Sequence, residues 1–264
     1  RTLILIDAFY VDTVNMNRIT EQAIVEVLKS LDPHSSYISA KDVKEMNEPL
    51  LGNFEGIGIQ FNILHDSIVV IEPVKNGPSE KVGLLAGDRI VKINNENVAG
   101  IGITTTGVRT RLMGPKGSKV NVTIFRPGYK SLFEFIITRD KIPINSLDAA
   151  YMLDKETGYI KLNKFAATTV DEFDAAVDSM KKFNSMKNLV IDLRGNGGGY
   201  MTAATDLADK FYSDKRLLVY LNGRKTPRQD YISKGKGSLS SSRVAVLTDE
   251  GSASASEILA GAVQ

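Results

Sequence analysis

The chain has 264 residues and nearly balanced charge, with 33 Lys and Arg against 31 Asp and Glu. This length predicts two hydrophobic cores, because a domain typically holds roughly 100 to 200 residues. The net charge of +2 gives no electrostatic reason to expect nucleic acid or an anionic membrane as a partner. The absence of Cys excludes disulfides, thiolate zinc sites and a Cys nucleophile.

The first 50 residues predict a short helical region. One helix would place Leu3, Ile6 and Tyr10 on a shared face, and a second is predicted over residues 20–31, ended by Asp32-Pro33. The longest early apolar stretch falls far short of the roughly 20 residues that a membrane helix needs, so no membrane span is predicted. Because the chain opens inside the first helix, we expect an upstream segment that has been removed or left out.

Residues 51–142 predict a mostly β domain, since short apolar strands alternate with Gly, Pro and Asn turns. Only two short helices are predicted there, around 79–84 and 105–113. Near its start, the turn Gly56-Ile57-Gly58-Ile59 offers successive amides that could hold a terminal carboxylate. The strand behind this turn could accept a peptide as an added strand. The alternative is a tight hairpin turn without a ligand.

Residues 143–264 alternate between strands and helices, which predicts an α/β layer structure with largely parallel strands. One helix would bury Val170, Phe173, Val177 and Met180 and open with a capping box from Thr169 to Glu172. The Gly-, Ser- and Lys-rich stretch 234–242 is predicted to be a flexible loop.

Two strand-to-helix junctions in this part carry candidate chemistry. Residues 192–199, DLRGNGGG, end a strand with four glycines within five residues, which lets backbone N–H groups turn toward a bound oxygen. Residues 249–257, DEGSASASE, end another strand and begin a helix of small residues. Sites in open α/β sheets form beyond the carboxyl ends of strands, so both junctions could meet at one pocket.

Each junction has a simpler interpretation. Ser254 to Glu257 fits a capping box, which needs no catalysis. The glycine loop could instead cradle a phosphate, but it lacks the Lys-Ser or Lys-Thr of a P-loop and the spacing of a dinucleotide fingerprint.

A Ser nucleophile also needs a base, and the residues do not identify one. The two histidines, His34 and His65, are interpreted as structural or surface residues. A desolvated Lys can replace His in Ser-Lys enzymes. Lys161 and Lys164 are local candidates, although a solvated strand face also explains them.

Four strings together, GSASASEILAGAVQ, DLRGNGGG, LDPHSSY and GIGI, resemble the C-terminal processing, or tail-specific, serine proteases that carry a PDZ domain. The resemblance covers nearly the whole chain. It implies an α/β fold in which a crotonase-like ββα protease domain, 143–264, holds an inserted mostly-β PDZ domain, 51–142, after the N-terminal helical region, 1–50. It implies nothing chemical for LDPHSSY, in which Asp32 and His34 are treated as structural.

The resemblance also implies the catalytic roles. Ser254 would be the nucleophile, and the amide of Ala255 would form an oxyanion hole with that of Gly198, or of Gly199 as second choice. Each such donor lowers the barrier by about 3 to 4 kcal/mol. No metal or cofactor is expected. In the family the base is a Lys in a downstream Gly-Lys-Gly motif, whereas this chain ends at Gln264, so the chain alone is expected to be inactive.

The implied activity is that of a serine endopeptidase using a Ser-Lys acyl-enzyme mechanism. Its partners would be proteins or peptides with a free C-terminus, held at Gly56, Ile57, Gly58 and Ile59. Met113 stands where relatives often carry Arg, which puts in doubt any coupling through that position. The implied location is the periplasm or another extracytoplasmic site. The alternatives are a non-catalytic tail-binding protein on this fold and a nucleotide-binding α/β protein.

Overall fold

The computed structural model describes residues 1–33, 35–183 and 185–264. The chain divides into two compact units, Arg1–Glu48 and Pro49–Gln264. Because residues 49–264 form one such unit, the predicted domain boundary at residue 142 stays a prediction.

The first unit is helical, as predicted. Its helices are α1 (Thr2–Phe9), α2 (Met16–Lys29) and α3 (Ala40–Leu51), the last of which runs on past Glu48. Helix α2 begins earlier than predicted because the Asn15 side chain caps it, accepting from Arg18 N at 3.1 Å. Within the described ranges, no helix combines the length and apolarity needed to cross a membrane.

The LDPHSSY motif follows α2 and forms a local turn. Both Asp32 carboxylate oxygens are used, since Oδ1 accepts from Ser35 N at 2.8 Å and Oδ2 accepts from Ser35 Oγ at 2.9 Å. Such an Asp-centred turn fits a structural role for Asp32. His34 lies outside the described residues.

The mostly β domain is built on one antiparallel sheet whose strands run in the order β2-β3-β4-β6-β7, with β5 paired to β4. Strand β2 lies at an edge of this sheet, and α5 packs into the same domain. The elements are β1 (Asn53–Gly56), β2 (Ile59–Leu64), β3 (Ser67–Pro73), α4 (Pro78–Val82), β4 (Arg89–Ile93), β5 (Glu96–Asn97), α5 (Thr105–Leu112), β6 (Lys119–Phe125), β7 (Phe133–Thr138) and β8 (Asp140–Pro143).

Strands β1 and β8 close the ends of this domain. They pair antiparallel, with Asn53 opposite Pro143 and Gly56 opposite Asp140. The chain therefore enters and leaves the mostly β domain at one place, which is the geometry of an inserted domain.

The α/β part carries a sheet in the order β14-β11-β10-β9, in which β10, β11 and β14 are parallel and β9 is antiparallel. This confirms the predicted α/β class. Among the residues that the structure describes, β12 and β13 pair only with each other, as a separate antiparallel hairpin. The elements are β9 (Leu147–Met152), β10 (Thr157–Leu162), α6 (Thr169–Phe183), β11 (Asn188–Asp192), α7 (Met201–Asp209), β12 (Leu217–Leu221), β13 (Gln229–Ile232), β14 (Arg243–Leu247) and α8 (Ala255–Val263).

Two separate hydrophobic cores are present in the second unit. One is buried within the mostly β domain and includes Ile68, Ile90 and Ile124. The other lies between the parallel sheet and its helices and includes Phe165 and Phe173. The prediction of two hydrophobic cores is therefore confirmed. Strands β10 and β11 alternate between buried and half-buried residues, whereas β14 is more exposed. Because the three strands are parallel, their carboxyl ends lie at a common edge of the sheet.

The predicted capping box from Thr169 to Glu172 is wrong. The Glu172 carboxylate instead accepts from Ser146 N at 2.8 Å, Ser146 Oγ at 3.0 Å and Thr168 Oγ1 at 2.6 Å. Ser146 is buried just before β9, so its polar groups need an acceptor that the sequence pattern could not reveal.

Residues 234–242 form a loop without helix or strand, as predicted, and two of its residues are anchored to the α/β domain. Leu239 is buried in the α/β core, and its N–H donates to Lys210 O at 2.8 Å. Gly237 N–H donates to Tyr212 O at 2.9 Å. The stretch lacks regular structure but is fixed to the end of α7.

Candidate active site

The first junction is organised around Asp192, which is the last residue of β11 and is fully buried. Its carboxylate accepts from Arg194 Nε at 2.9 Å and Nη2 at 2.7 Å, and from Tyr159 Oη at 2.6 Å. Lys161 Nζ lies 3.9 Å away. The Arg194 guanidinium holds the pKa of Asp192 well below its usual range, against the opposing effect of burial. The strand end is therefore fixed by charged hydrogen bonds.

Asn196 joins three segments of chain from a fully buried position. Its side chain donates to Leu162 O, at the end of β10, at 3.1 Å. The same side chain accepts from Gly198 N, in the glycine loop, at 2.9 Å. Its backbone oxygen accepts from Ala253 N at 3.1 Å and from Ser256 Oγ at 2.8 Å, on the second junction. Asn196 thus sets the distance between the two junctions.

A second set of hydrogen bonds joins the same segments through Asp249. Its Oδ1 accepts from Gly195 N at 2.8 Å and from Gly251 N at 3.0 Å. The hydrogen bond from Gly195 is the main reason that the pKa of Asp249 is lowered. Ser252 Oγ donates to Leu193 O at 2.8 Å. The glycine loop and the Ser254 turn are therefore joined by hydrogen bonds through Asp249 and Ser252 as well as through Asn196.

Ser254 stands at the start of α8, exposed to solvent, with φ 56° and ψ −113°. A residue other than Gly rarely adopts positive φ, and such a conformation costs about 1 to 3 kcal/mol. A capping-box arrangement is present, because Ser254 N–H donates to Glu257 Oε2 at 2.6 Å. The Ser254 side chain lies toward the Glu257 N–H and completes the box, but it makes no close cap hydrogen bond. The capping interpretation of Ser254 therefore fits this geometry, and its hydroxyl is also exposed to solvent.

The glycine loop lies directly against Ser254. A Cβ added to Gly198, at φ +103°, would lie 2.8 Å from Ser254 Cβ and 3.0 Å from Ala255 N. A Cβ added to Gly199 would lie 2.1 Å from Phe165 O. Only glycine permits this approach on either side. The predicted meeting of the two junctions is thus present.

The backbone amides near Ser254 differ in whether they already donate a hydrogen bond. Gly198 N–H is donated to the Asn196 side chain. Gly199 forms a parallel β-bridge with Phe165. The hydrogen bonds of this bridge run from Phe165 N to Gly198 O and from Tyr200 N to Phe165 O. In the described ranges, Gly199 N–H has no acceptor, and the same holds for the N–H of Ala255.

Ser254 lines an open pocket of about 650 Å³. Its walls come from β12 and α8 and are mostly apolar, with Glu257 as the charged exception. The pocket is lined by Leu217, Leu218, Val219, Tyr220, Ser254, Glu257, Ile258, Gly261 and Ala262. A polypeptide side chain could occupy this volume next to the hydroxyl.

A second cavity, of about 510 Å³, lies between β2 and α5, beside the turn Gly56–Ile59. We call it the tail groove. Ser79 shapes the turn, because its N–H and hydroxyl both donate to Ile57 O, at 3.1 and 2.7 Å. Among described residues, no acceptor pairs with the N–H of Ile57 or Gly58. The groove is lined by Pro49, Phe54, Ile57, Gly58, Ile59, Gln60, Phe61, Thr105, Arg109, Leu112, Met113, Ile144 and Lys164.

Comparisons with known proteins agree with this geometry. The model of peptidase family S41 matches residues 156–264, and that of the PDZ domain matches residues 56–137. The chain is 35% identical to the carboxy-terminal processing protease CtpB of Bacillus subtilis over 98% of this chain and 54% of that protein. It is 34% identical to a carboxy-terminal-processing protease of Bartonella bacilliformis over 97% of this chain and 58% of that protein.

The chain belongs to the PDZ-containing C-terminal processing proteases of peptidase family S41. It spans about half the length of the curated relatives it matches. A solved photosystem II D1 C-terminal processing protease is 26% identical, with 99% of this chain and 76% of that chain covered and a TM-score of 0.48.

Other candidate residues lie elsewhere in this family S41 chain. His65 lies exposed in the turn between β2 and β3. Lys161 faces Asp192, and Lys164 and Met113 line the tail groove rather than the Ser254 pocket. None of these side chains is placed as a base for Ser254.

The sequence patterns did not reveal the roles of Asn196 and Asp249. Asn196 stands inside the quoted DLRGNGGG string, but its bonds reach residues that are distant in sequence. Asp249 also disfavours the nucleotide alternative, because its carboxylate takes the Gly195 amide, which a phosphate in this loop could otherwise use.

We predict that Asp192→Asn weakens the pH dependence of stability in acid. Because the folded-state pKa of Asp192 is depressed, its contribution is present above the unfolded value of about 3.9 and is lost as pH falls toward the folded pKa. The difference in free energy of unfolding between the protein and the variant should therefore shrink from pH 7 to pH 3, measured by urea denaturation. The control is Asp178→Asn, at an exposed carboxylate on α6. A difference that stays constant over this range contradicts the assignment.

We also predict that Ser254→Gly is more stable than Ser254→Ala by about 1 kcal/mol. Glycine relieves the positive φ, whereas Ala keeps it, and both variants lack the hydroxyl. Thermal or urea unfolding measures the difference. If Ser254→Ala were equally or more stable, the strain at this position would not exist in solution.

Proposed function

We propose that this protein is a serine endopeptidase that binds the free C-termini of proteins through its PDZ domain and cleaves the preceding segment at Ser254. The observation that carries the proposal is the environment of the Ser254 hydroxyl. It is exposed above an open pocket, held at a strained φ, and followed by the Ala255 amide, which has no acceptor in the described ranges. The glycine loop that packs against Ser254 carries a second such amide, that of Gly199. A helix-capping Ser would need none of these features.

The oxyanion of the tetrahedral intermediate would bind to the amides of Ala255 and Gly199. The family resemblance favours Gly198, but its N–H donates to the Asn196 side chain. Using it would leave the Asn196 oxygen without that donor. The unpaired N–H of Gly199, the second choice, supports its use instead. Each donor contributes about 3 to 4 kcal/mol when held rigidly.

The chemistry would proceed through an acyl-enzyme. Ser254 Oγ attacks the peptide carbonyl and loses its proton to a general base, which the resemblance implies to be a downstream Lys. The C–N bond then breaks as the base returns the proton to the leaving amine. Water, activated by the same base, hydrolyses the ester and regenerates Ser254. Family resemblance leads us to propose an extracytoplasmic site for this reaction.

The tail groove would recruit the substrate. A terminal carboxylate would accept hydrogen bonds from the N–H groups of Ile57 and Gly58, and the peptide would pair along the free edge of β2. Gly56 and Ile59 flank these amides and fix the turn between β1 and β2. Backbone pairing gives affinity without strong sequence dependence, which suits a protease of unfolded segments.

We predict that Ser254→Ala, made in the full-length protein, lowers the cleavage of an unstructured peptide by at least about 10³-fold. Binding of the peptide's tail should stay within about twofold, because the groove lies on other residues. Cleavage is followed by mass spectrometry, and binding by fluorescence anisotropy.

The matched control is Ser241→Ala, at an exposed Ser outside both cavities, which should retain full activity. Equal cleavage by the Ser254→Ala variant and the unsubstituted protein would defeat the assignment of the nucleophile. Tail binding without cleavage by the unsubstituted full-length protein would instead support the non-catalytic alternative.

A further inference from the structure

The tail groove has an unbalanced charge. Its two charged lining residues, Arg109 and Lys164, are both cations, and the other lining residues are apolar or neutral. Within the described part of the chain, neither cation has a carboxylate within 4.0 Å, whereas Arg111, on the same helix, lies 3.7 Å from Glu96. An unpaired cation in an otherwise apolar groove favours a ligand with a negative side chain.

Arg109 has a defined position relative to the turn Gly56–Ile59. The C-terminal end of α5 lies at this turn, because a Cβ on Gly56 would lie 3.5 Å from Met113 Cα. Arg109 precedes Met113 by four residues, which is about 6 Å along a helix. An extended peptide rises about 3.3 Å per residue. With its carboxylate at the turn, such a peptide places the residue two before its terminus beside Arg109.

The groove floor near the turn is apolar. Ile57 and Leu112 are buried there, and Phe61 and Met113 are half-buried beside them. An apolar terminal side chain would pack against these residues, while Arg109 remains exposed at the groove edge.

We propose that Arg109 makes this groove select tails that carry Asp or Glu two residues before an apolar C-terminal residue. The proposal rests on the proposed function, since it assumes that the groove binds a free C-terminus. Lys164, which also lines the groove, adds positive potential. Because Arg109 is exposed, the preference is moderate, about two- to fivefold in Kd, and it weakens as salt screens the pair.

The experiment compares fluorescein-labelled decapeptides ending in Glu-Ala-Leu and Gln-Ala-Leu, each with a free or an amidated C-terminus. Their Kd values are measured by fluorescence anisotropy on the Ser254→Ala protein, which does not consume them, at 50 mM and 500 mM NaCl. The same measurements are made with Arg109→Gln added. The matched control is Arg111→Gln, which removes an equal charge from the same helix but outside the groove.

We expect the Glu peptide to bind about two- to fivefold more tightly than the Gln peptide at low salt. Arg109→Gln should abolish this difference, while Arg111→Gln should retain it. Equal Kd values for Glu and Gln peptides, or a preference that survives Arg109→Gln, would overturn the proposal. Amidation tests the underlying function separately: it should weaken both peptides, and if it does not, terminal-carboxylate binding itself is wrong.

Discussion

The arrangement of the candidate active site depends on the hydrogen bonds of one buried residue, Asn196. Its side chain spans from Leu162 O to Gly198 N, and its backbone oxygen holds Ala253 and Ser256. The hydrogen bonds to Leu162, Gly198 and Ser256 are buried, and leaving one of these buried donors or acceptors unpaired costs about 1 to 3 kcal/mol. The glycine loop and the Ser254 turn therefore share one anchor, and the spacing between their amides follows from it.

That anchor makes the conformation of Ser254 possible. A non-glycine residue at φ 56° persists only when its surroundings hold it more strongly than the strain it carries. Hydrogen bonds through Asp249 and Glu257 supply this restraint on either side of Ser254, and the absence of a Cβ on Gly198 supplies the space. The same close contact brings the glycine loop against Ser254 and the free amide of Ala255. The strain at Ser254, the packing of the two loops and the placement of the amides therefore depend on the same contacts.

Sequence reasoning predicted the α/β class, the inserted β domain and the junctions that meet at Ser254, because periodicity and glycine clusters are local signals. It favoured Gly198 over Gly199 for the oxyanion hole, and it could not show that the Asn196 side chain accepts from the Gly198 N–H. It misassigned Glu172 for a similar reason, because the Ser146 groups that the carboxylate binds lie 26 residues away. The pairing of β1 with β8 and the burial of Leu239 were likewise set by contacts that are distant in sequence.

The most direct test of the central role of Asn196 is native-state hydrogen exchange of the Asn196→Ala variant, followed by NMR, with the Phe173 amide in the α/β core as reference. The substitution removes the acceptor of Gly198 N–H but leaves the backbone oxygen that accepts from Ala253 N–H. If Asn196 anchors both loops, both amides should lose protection relative to the core. Loss of protection at Gly198 alone, with Ala253 unchanged, would contradict this account.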